Sequence, residues 1–142
     1  MIKELSTIVR QDDMRPDACP EDVVKILMIE DEMEIIESLS LAFQIRWPGT
    51  KLLSTHLGKR GVEMVNSESP DVVILDLGLP DIGGLDVLQQ IRSVSSVPVV
   101  ILTAMSEDSI REKGLEYGAN AFMTKPFKQA ELMSRLQSLA RG

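Results

Sequence analysis

The sequence predicts an α/β fold: a doubly wound sheet of five parallel strands in the order 2-1-3-4-5. Three observations lead there. Short apolar runs alternate five times with stretches of helical periodicity. The runs DVVILD (71–76) and VPVVILT (97–103) are apolar almost throughout, as parallel strands covered on both faces must be. Right-handed crossovers then leave few ways of ordering such strands, and 2-1-3-4-5 is the natural one.

The elements follow in order. Residues 1–22 read as an N-terminal extension in which Pro16 and Pro20 act as breakers. Ile2, Leu5, Ile8 and Val9 are spaced for a short docking helix, and a partly disordered leader is the other reading. The domain proper spans 23–142. VVKILMI (23–29) is a buried strand, and EIIESLSLAFQI (34–45) follows as a helix with Ile35, Ile36, Leu39, Ala42 and Phe43 on one face. TKLLST (50–55) is a weaker strand and KRGVEMVNS (59–67) a short helix. After the strand DVVILD comes a helix over 84–91 carrying Leu85, Val87, Leu88 and Ile91. VPVVILT tolerates Pro98 near its start. SEDSIREKGLEY (106–117) is a helix with little to bury: Ile110 and Leu115 are its main apolar contacts, and Gly114 weakens it. ANAFMT (119–124) is the last strand, and KQAELMSRLQSLAR (128–141) closes the chain as a helix with Leu132, Met133, Leu136, Leu139 and Ala140 on one side.

Composition narrows the function. A chain of 142 residues supports one compact domain. With 15 basic against 22 acidic residues the net charge is −7, which argues against direct nucleic-acid binding and suits a cation. The single cysteine, Cys19, allows no internal disulfide and fits a reducing compartment. No apolar run approaches the ~18 residues of a membrane span, and MIKELSTIVRQDD lacks the apolar core of a signal peptide, so the expected location is cytoplasmic. His56 reads as a surface loop residue, and the eight methionines, scattered on apolar faces, as core filling.

In open α/β sheets ligands bind outside the carboxyl ends of the strands. The residues there are Glu30, Asp31 and Glu32 after the first strand, Asp76 after the third, Thr103 at the end of the fourth, and Lys125 with Pro126 after the fifth. Each has an ordinary structural role on offer. The acidic trio suits a helix N-terminus, Asp76 a turn, Thr103 a cap, and Lys125 a snorkelling surface position. Together they make a coherent chemistry. Asp31 and Asp76 concentrate negative charge that Mg²⁺ relieves. Lys125 and Thr103 offer positive charge and a donor to phosphoryl oxygens, and Asp76 is a nucleophile able to form an acyl phosphate.

ILMIEDE, VVILDLGLPDIGGLDVL, VVILTA and GANAFMTKPF, in this order and spacing, resemble the receiver domain of two-component response regulators over about residues 24–140. The resemblance implies the flavodoxin-like receiver fold, with Asp76 as phosphoacceptor for a sensor histidine kinase. It implies Asp31 as metal-binding acid, Glu30 as its acidic neighbour reaching the metal through water, and Gly78 as donor of a coordinating carbonyl. Lys125 would pair with the phosphoryl group. Thr103 would be the switch hydroxyl, Ala104 its small neighbour and Phe122 the switch aromatic. The Lys125–Pro126 bond would be cis. Such a domain is no enzyme beyond its own phosphorylation and dephosphorylation, and it signals by a population shift in the face made by the fourth helix, fifth strand and fifth helix.

KPFKQAELMSRLQSLAR resembles the receivers attached to winged-helix DNA-binding domains, which often form homodimers through that face. Asn120-Ala121 replaces the usual pair of acids and weakens that expectation, while Arg135 retains a matching basic position. The output would go to an unidentified partner or to a C-terminal effector domain outside this sequence, which would also carry any DNA binding. Two enzyme-like alternatives fit poorly. A haloacid-dehalogenase-like phosphatase needs a second Asp two residues after the nucleophile, where Met33 and Gly78 stand; a flavin binder needs a phosphate loop where IEDEME is acidic. A degenerate receiver acting as a phosphorylation-independent binding module is the remaining alternative.

Overall fold

Residues 23–141 are described by a computed structural model. The expectations for 1–22, Cys19 included, lie outside the described residues. The elements are β1 (Lys25–Ile29), α1 (Met33–Arg46), β2 (Lys51–Thr55), α2 (Gly58–Glu68), β3 (Val72–Leu75), α3 (Gly84–Val94), β4 (Val99–Thr103), α4 (Asp108–Glu116), β5 (Ala121–Thr124) and α5 (Gln129–Arg141). All strand pairs are parallel and the sheet order is β2-β1-β3-β4-β5, the order expected.

The strands read as continuous apolar runs because both faces are covered, but their residues divide with period two. Ile26, Met28, Val72, Ile74, Val100 and Leu102 pack with Leu39, Ala42 and Phe43 of α1 and with Leu132, Met133 and Leu136 of α5. Leu27, Ile29, Val73, Leu75, Val99 and Ile101 face the other way, against Val65 of α2 and Val87, Leu88 and Ile91 of α3.

Several boundaries differ from the sequence expectation for identifiable reasons. Strand β4 begins at Val99 rather than Val97, since Pro98 has no N–H to donate, though its carbonyl still accepts from Val73 N at 2.9 Å. Strand β5 begins at Ala121. Asn120 stays outside it and clamps its neighbour, its N–H donating to Val99 O at 2.8 Å and its Oδ1 accepting from Val99 N at 2.9 Å. Helix α4 buries only Gly114, and Leu115, expected to be a main contact, is 44% exposed. Gly114 is the packing point of that helix: a Cβ there would lie 2.8 Å from Ile101 Cδ1. The methionines also divide. Met28, Met123 and Met133 are buried, but Met33 and Met105 are exposed and fill no core. Among the described residues no helix is long and apolar enough to cross a membrane.

Candidate functional site

The carboxyl ends of β1, β3, β4 and β5 share one edge of the sheet, and backbone hydrogen bonds carry the ladder one residue past each of three strands. Glu30 N donates to Thr55 O at 3.0 Å, Asp76 N to Ile29 O at 2.9 Å, and Lys125 N to Thr103 O at 2.8 Å. These bonds fix the backbone under three charged side chains that meet above the edge. Lys125 Nζ lies 2.5 Å from Glu32 Oε1, 3.1 Å from Glu30 Oε2 and 3.3 Å from Asp76 Oδ2. The Lys125–Pro126 peptide is cis. Lys125 is therefore no snorkelling lysine: its side chain is 12% exposed and directed inward.

The electrostatics follow from burial. Glu30 is fully buried, and its carboxyl is pushed up from 4.5 to about 6. Desolvation is the main cause and the Asp76 charge adds to it, against the opposing Glu32 N–H and Lys125 ammonium. Burial alone would lower Lys125. Hydrogen bonds to Glu32 and Glu30, with the charges of Glu30 and Asp76, outweigh that and raise it.

Asp76 Oδ1 accepts from Gly78 N at 3.2 Å, so the acid also shapes the turn that follows it. Thr103 is buried, and its Oγ1 accepts from Met105 N at 3.3 Å. It does not cap α4, whose N-cap is Glu107 without a side-chain bond. Ala104 is exposed and lines a cleft of about 490 Å³ beside the acids, together with Glu32, Ile35, Lys125, Phe127 and Gln129. Phe122 is buried with the core that faces α3, and the Arg111 guanidinium sits 5.6 Å from its ring centroid.

Glu30, Glu32 and Asp76 each present a carboxylate oxygen within 4.8 Å of the others. Glu30 Oε1 is buried and has no hydrogen-bond partner among the described residues. An orphaned carboxylate oxygen among three acids is a donor set suited to a hard divalent cation, so the residues fit such an ion. Asp31 is exposed and lies outside that set of three. Glu32 is the residue whose part the sequence concealed. It read as one of an acidic trio, and only the fold shows that it reaches the lysine 93 residues away.

The match to known proteins settles the family. The model of the response regulator receiver domain matches residues 26–137. The chain belongs to that family. Relatives of this receiver include "Transcriptional regulatory protein KdpE" of Mycobacterium tuberculosis, 36% identical over 116 residues, or 82% of this chain and 50% of the relative. The "Transcriptional regulatory protein CpxR homolog" of Haemophilus influenzae is 37% identical over 117 residues, again 82% and 50%. The receiver thus spans about half the length of the curated relatives it matches. Among solved structures, the BeF3-activated N-terminal receiver domain of Klebsiella pneumoniae RstA superposes with a TM-score of 0.74 at 28% identity, covering 83% of this chain and 99% of that one. Receivers of response regulators are signalling domains of two-component systems rather than classical enzymes, and they partner with histidine kinases.

Proposed function

We propose that this receiver is a phosphoacceptor in which Asp76 takes the phosphoryl group of a histidine kinase. The observation that carries the reading is the convergence of Lys125 on Asp76 and Glu30, from three different strands, in a pocket that excludes most water. A carboxylate oxygen of Asp76 attacks phosphorus, the bond from phosphorus to the donor nitrogen breaks, and the imidazole leaves with that electron pair. The product is an acyl phosphate. Lys125 would neutralise the phosphoryl oxygens and Thr103 would donate its hydroxyl to one of them. Exposed Ala104 leaves the incoming group room. Glu30, Asp31, Asp76 and the Gly78 carbonyl would hold Mg²⁺, as the resemblance implies. When bound, the ion supplies charge neutralisation between the acids and the phosphoryl oxygens.

The signal would follow from the Thr103 hydroxyl turning toward the phosphoryl group and Phe122 shifting against β4. Helix α4, buried only at Gly114, is the element with least to lose by moving. The α4-β5-α5 face would then meet the output partner, an effector domain or a second copy. Support from a relative comes through chemistry: beryllofluoride imitates a tetrahedral phosphoryl group, and the Klebsiella receiver is described as activated by it.

Incubation with acetyl phosphate and Mg²⁺, followed by intact mass, tests the reading. One added phosphate is expected, absent with chelator and absent in Asp76→Asn. A chain that acquires no phosphate in Mg²⁺ would instead be a module binding through constitutive surfaces.

A further inference from the structure

Three carboxylates compete for one ammonium, and they are not equivalent. Glu30 and Asp76 are buried, and their positions are fixed by the backbone ladder. The Glu32 side chain is 59% exposed, yet it makes the shortest contact, 2.5 Å, to Lys125 Nζ. Its geometry is locally supported: Glu32 N donates to Glu30 Oε2 at 3.0 Å, which fixes the backbone from which the side chain reaches the lysine. Glu32 also lines the 490 Å³ cleft into which Lys125 and Ala104 open.

We propose that Glu32 is a positioning residue, a latch that holds Lys125 at the rim of the acceptor pocket and must release it when a phosphoryl group arrives. The inference rests on the phosphoacceptor reading above. A phosphoryl group on Asp76 brings oxygens that need the same ammonium, so the contact to Glu32 is lost as the contact to phosphate forms. The buried partners keep Lys125 inside the pocket in either state. The exposed one sets how readily it is given up. Glu32 thus favours the unloaded state, and the extent of loading depends on a residue that touches neither the phosphoryl group nor Asp76.

Two variants separate a latch from a simple charge effect. Glu32→Gln removes the charge, whereas Glu32→Asp keeps the charge on an arm one methylene shorter. The affinity of the Mg²⁺-saturated receiver for beryllofluoride, measured by calorimetry, is the readout, because it reports loading without turnover. Both variants are expected to bind about fivefold more tightly than the unaltered chain, the scale of one partly exposed ion pair. Thermal midpoints of the apo variants should match the unaltered chain within a few degrees, since Glu32 lies outside both cores. If Glu32→Gln tightens binding and Glu32→Asp behaves like the unaltered chain, the effect is the field of a rim charge and the latch is wrong. Weaker binding by both variants also overturns it, since Glu32 would then be aiding the loaded state. If the unaltered chain itself fails to bind beryllofluoride, the phosphoacceptor reading falls, and the latch with it.

Discussion

A Cβ on Gly84 would lie 2.3 Å from Leu77 Cα and 2.7 Å from the Asp76 carbonyl oxygen. Both are backbone atoms, so no side chain can swing aside to make room. They also belong to the turn that carries the proposed acceptor, because Gly84 N donates to Leu77 O at 3.0 Å. Gly84→Ala should therefore cost about 2 kcal/mol in denaturant unfolding and slow acetyl phosphate labelling through the displaced Asp76. Gly78 stands only two residues from Asp76 but has nothing within 4 Å of an added Cβ. Gly78→Ala should unfold within about 0.5 kcal/mol of the unaltered chain. Whatever Gly78 gives a metal must come from its backbone, which alanine also has. Glu30 supplies a pH test at the same scale. Its folded value, about 6, lies above the ordinary 4.5. The folded state therefore holds the proton more tightly between those values. The stability this provides is complete below pH 4.5 and is lost as pH rises through about 6. In chelator, melts of the unaltered chain should show that fall, on the order of 2 kcal/mol, and Glu30→Gln should flatten it.

Helix α4 is the weakest-anchored element, but its two ends differ. Its N-cap, Glu107, makes no side-chain capping bond among the described residues, and residues 104–109 are exposed. Its C-terminal end is held by Arg92 of α3, which donates from Nε and Nη2 to Gly118 O at 3.1 and 2.8 Å, from Nη2 to Asn120 Oδ1 at 3.1 Å, and from Nη1 to Val97 O at 2.7 Å. Gly118, at φ +111°, gives the chain the turn that exposes that carbonyl to the guanidinium. The expectation is a helix that moves at its start and is pinned at its end. Arg92→Ala should lose about 2 kcal/mol and speed hydrogen exchange at 118–120, while exchange across 107–110, expected to be fast in the unaltered chain too, should change little. Equal exchange at both ends of the unaltered helix would remove this picture of a pinned end. The strands and their order were legible in the sequence because apolar runs and turn residues are local signals. Asp76, Thr103 and Lys125 were legible as site candidates because strand ends in such a sheet converge. The Arg92 clasp and the reach of Glu32 were hidden, since Arg92 reaches Gly118 and Asn120, and Glu32 reaches Lys125, across more than 20 positions through side-chain contacts that no local pattern marks. Gly114 was misjudged for a related reason: propensity counts a glycine as a weak point, and only tertiary packing makes it the place where Ile101 fits.

At the scale of the molecule, the two cores lie on opposite faces of one sheet and the acids gather at one edge of it. The chain carries a net charge of −7, and part of that repulsion is focused where Glu30, Glu32 and Asp76 face one another around a single ammonium. A cation that binds there stabilises the folded state only, because the unfolded chain does not assemble the acids. Mg²⁺ at a hundredfold over its dissociation constant should add about 2.7 kcal/mol, raising the thermal midpoint by roughly 10 °C, whereas NaCl of equal ionic strength should raise it far less. The variants decide which acids hold the ion. The resemblance assigns it to Asp31 and Asp76, whereas the metal-free geometry groups Glu32 with Glu30 and Asp76. If Lys125 is what occupies Glu32, that carboxylate is engaged elsewhere and is no ligand. Asp31→Asn and Asp76→Asn should then each abolish the Mg²⁺ shift, and Glu32→Gln should keep it. A shift that survives in Asp31→Asn and disappears in Glu32→Gln would transfer the ion to the three acids around the lysine. Lys125 and the cation would then be rivals for one seat rather than neighbours.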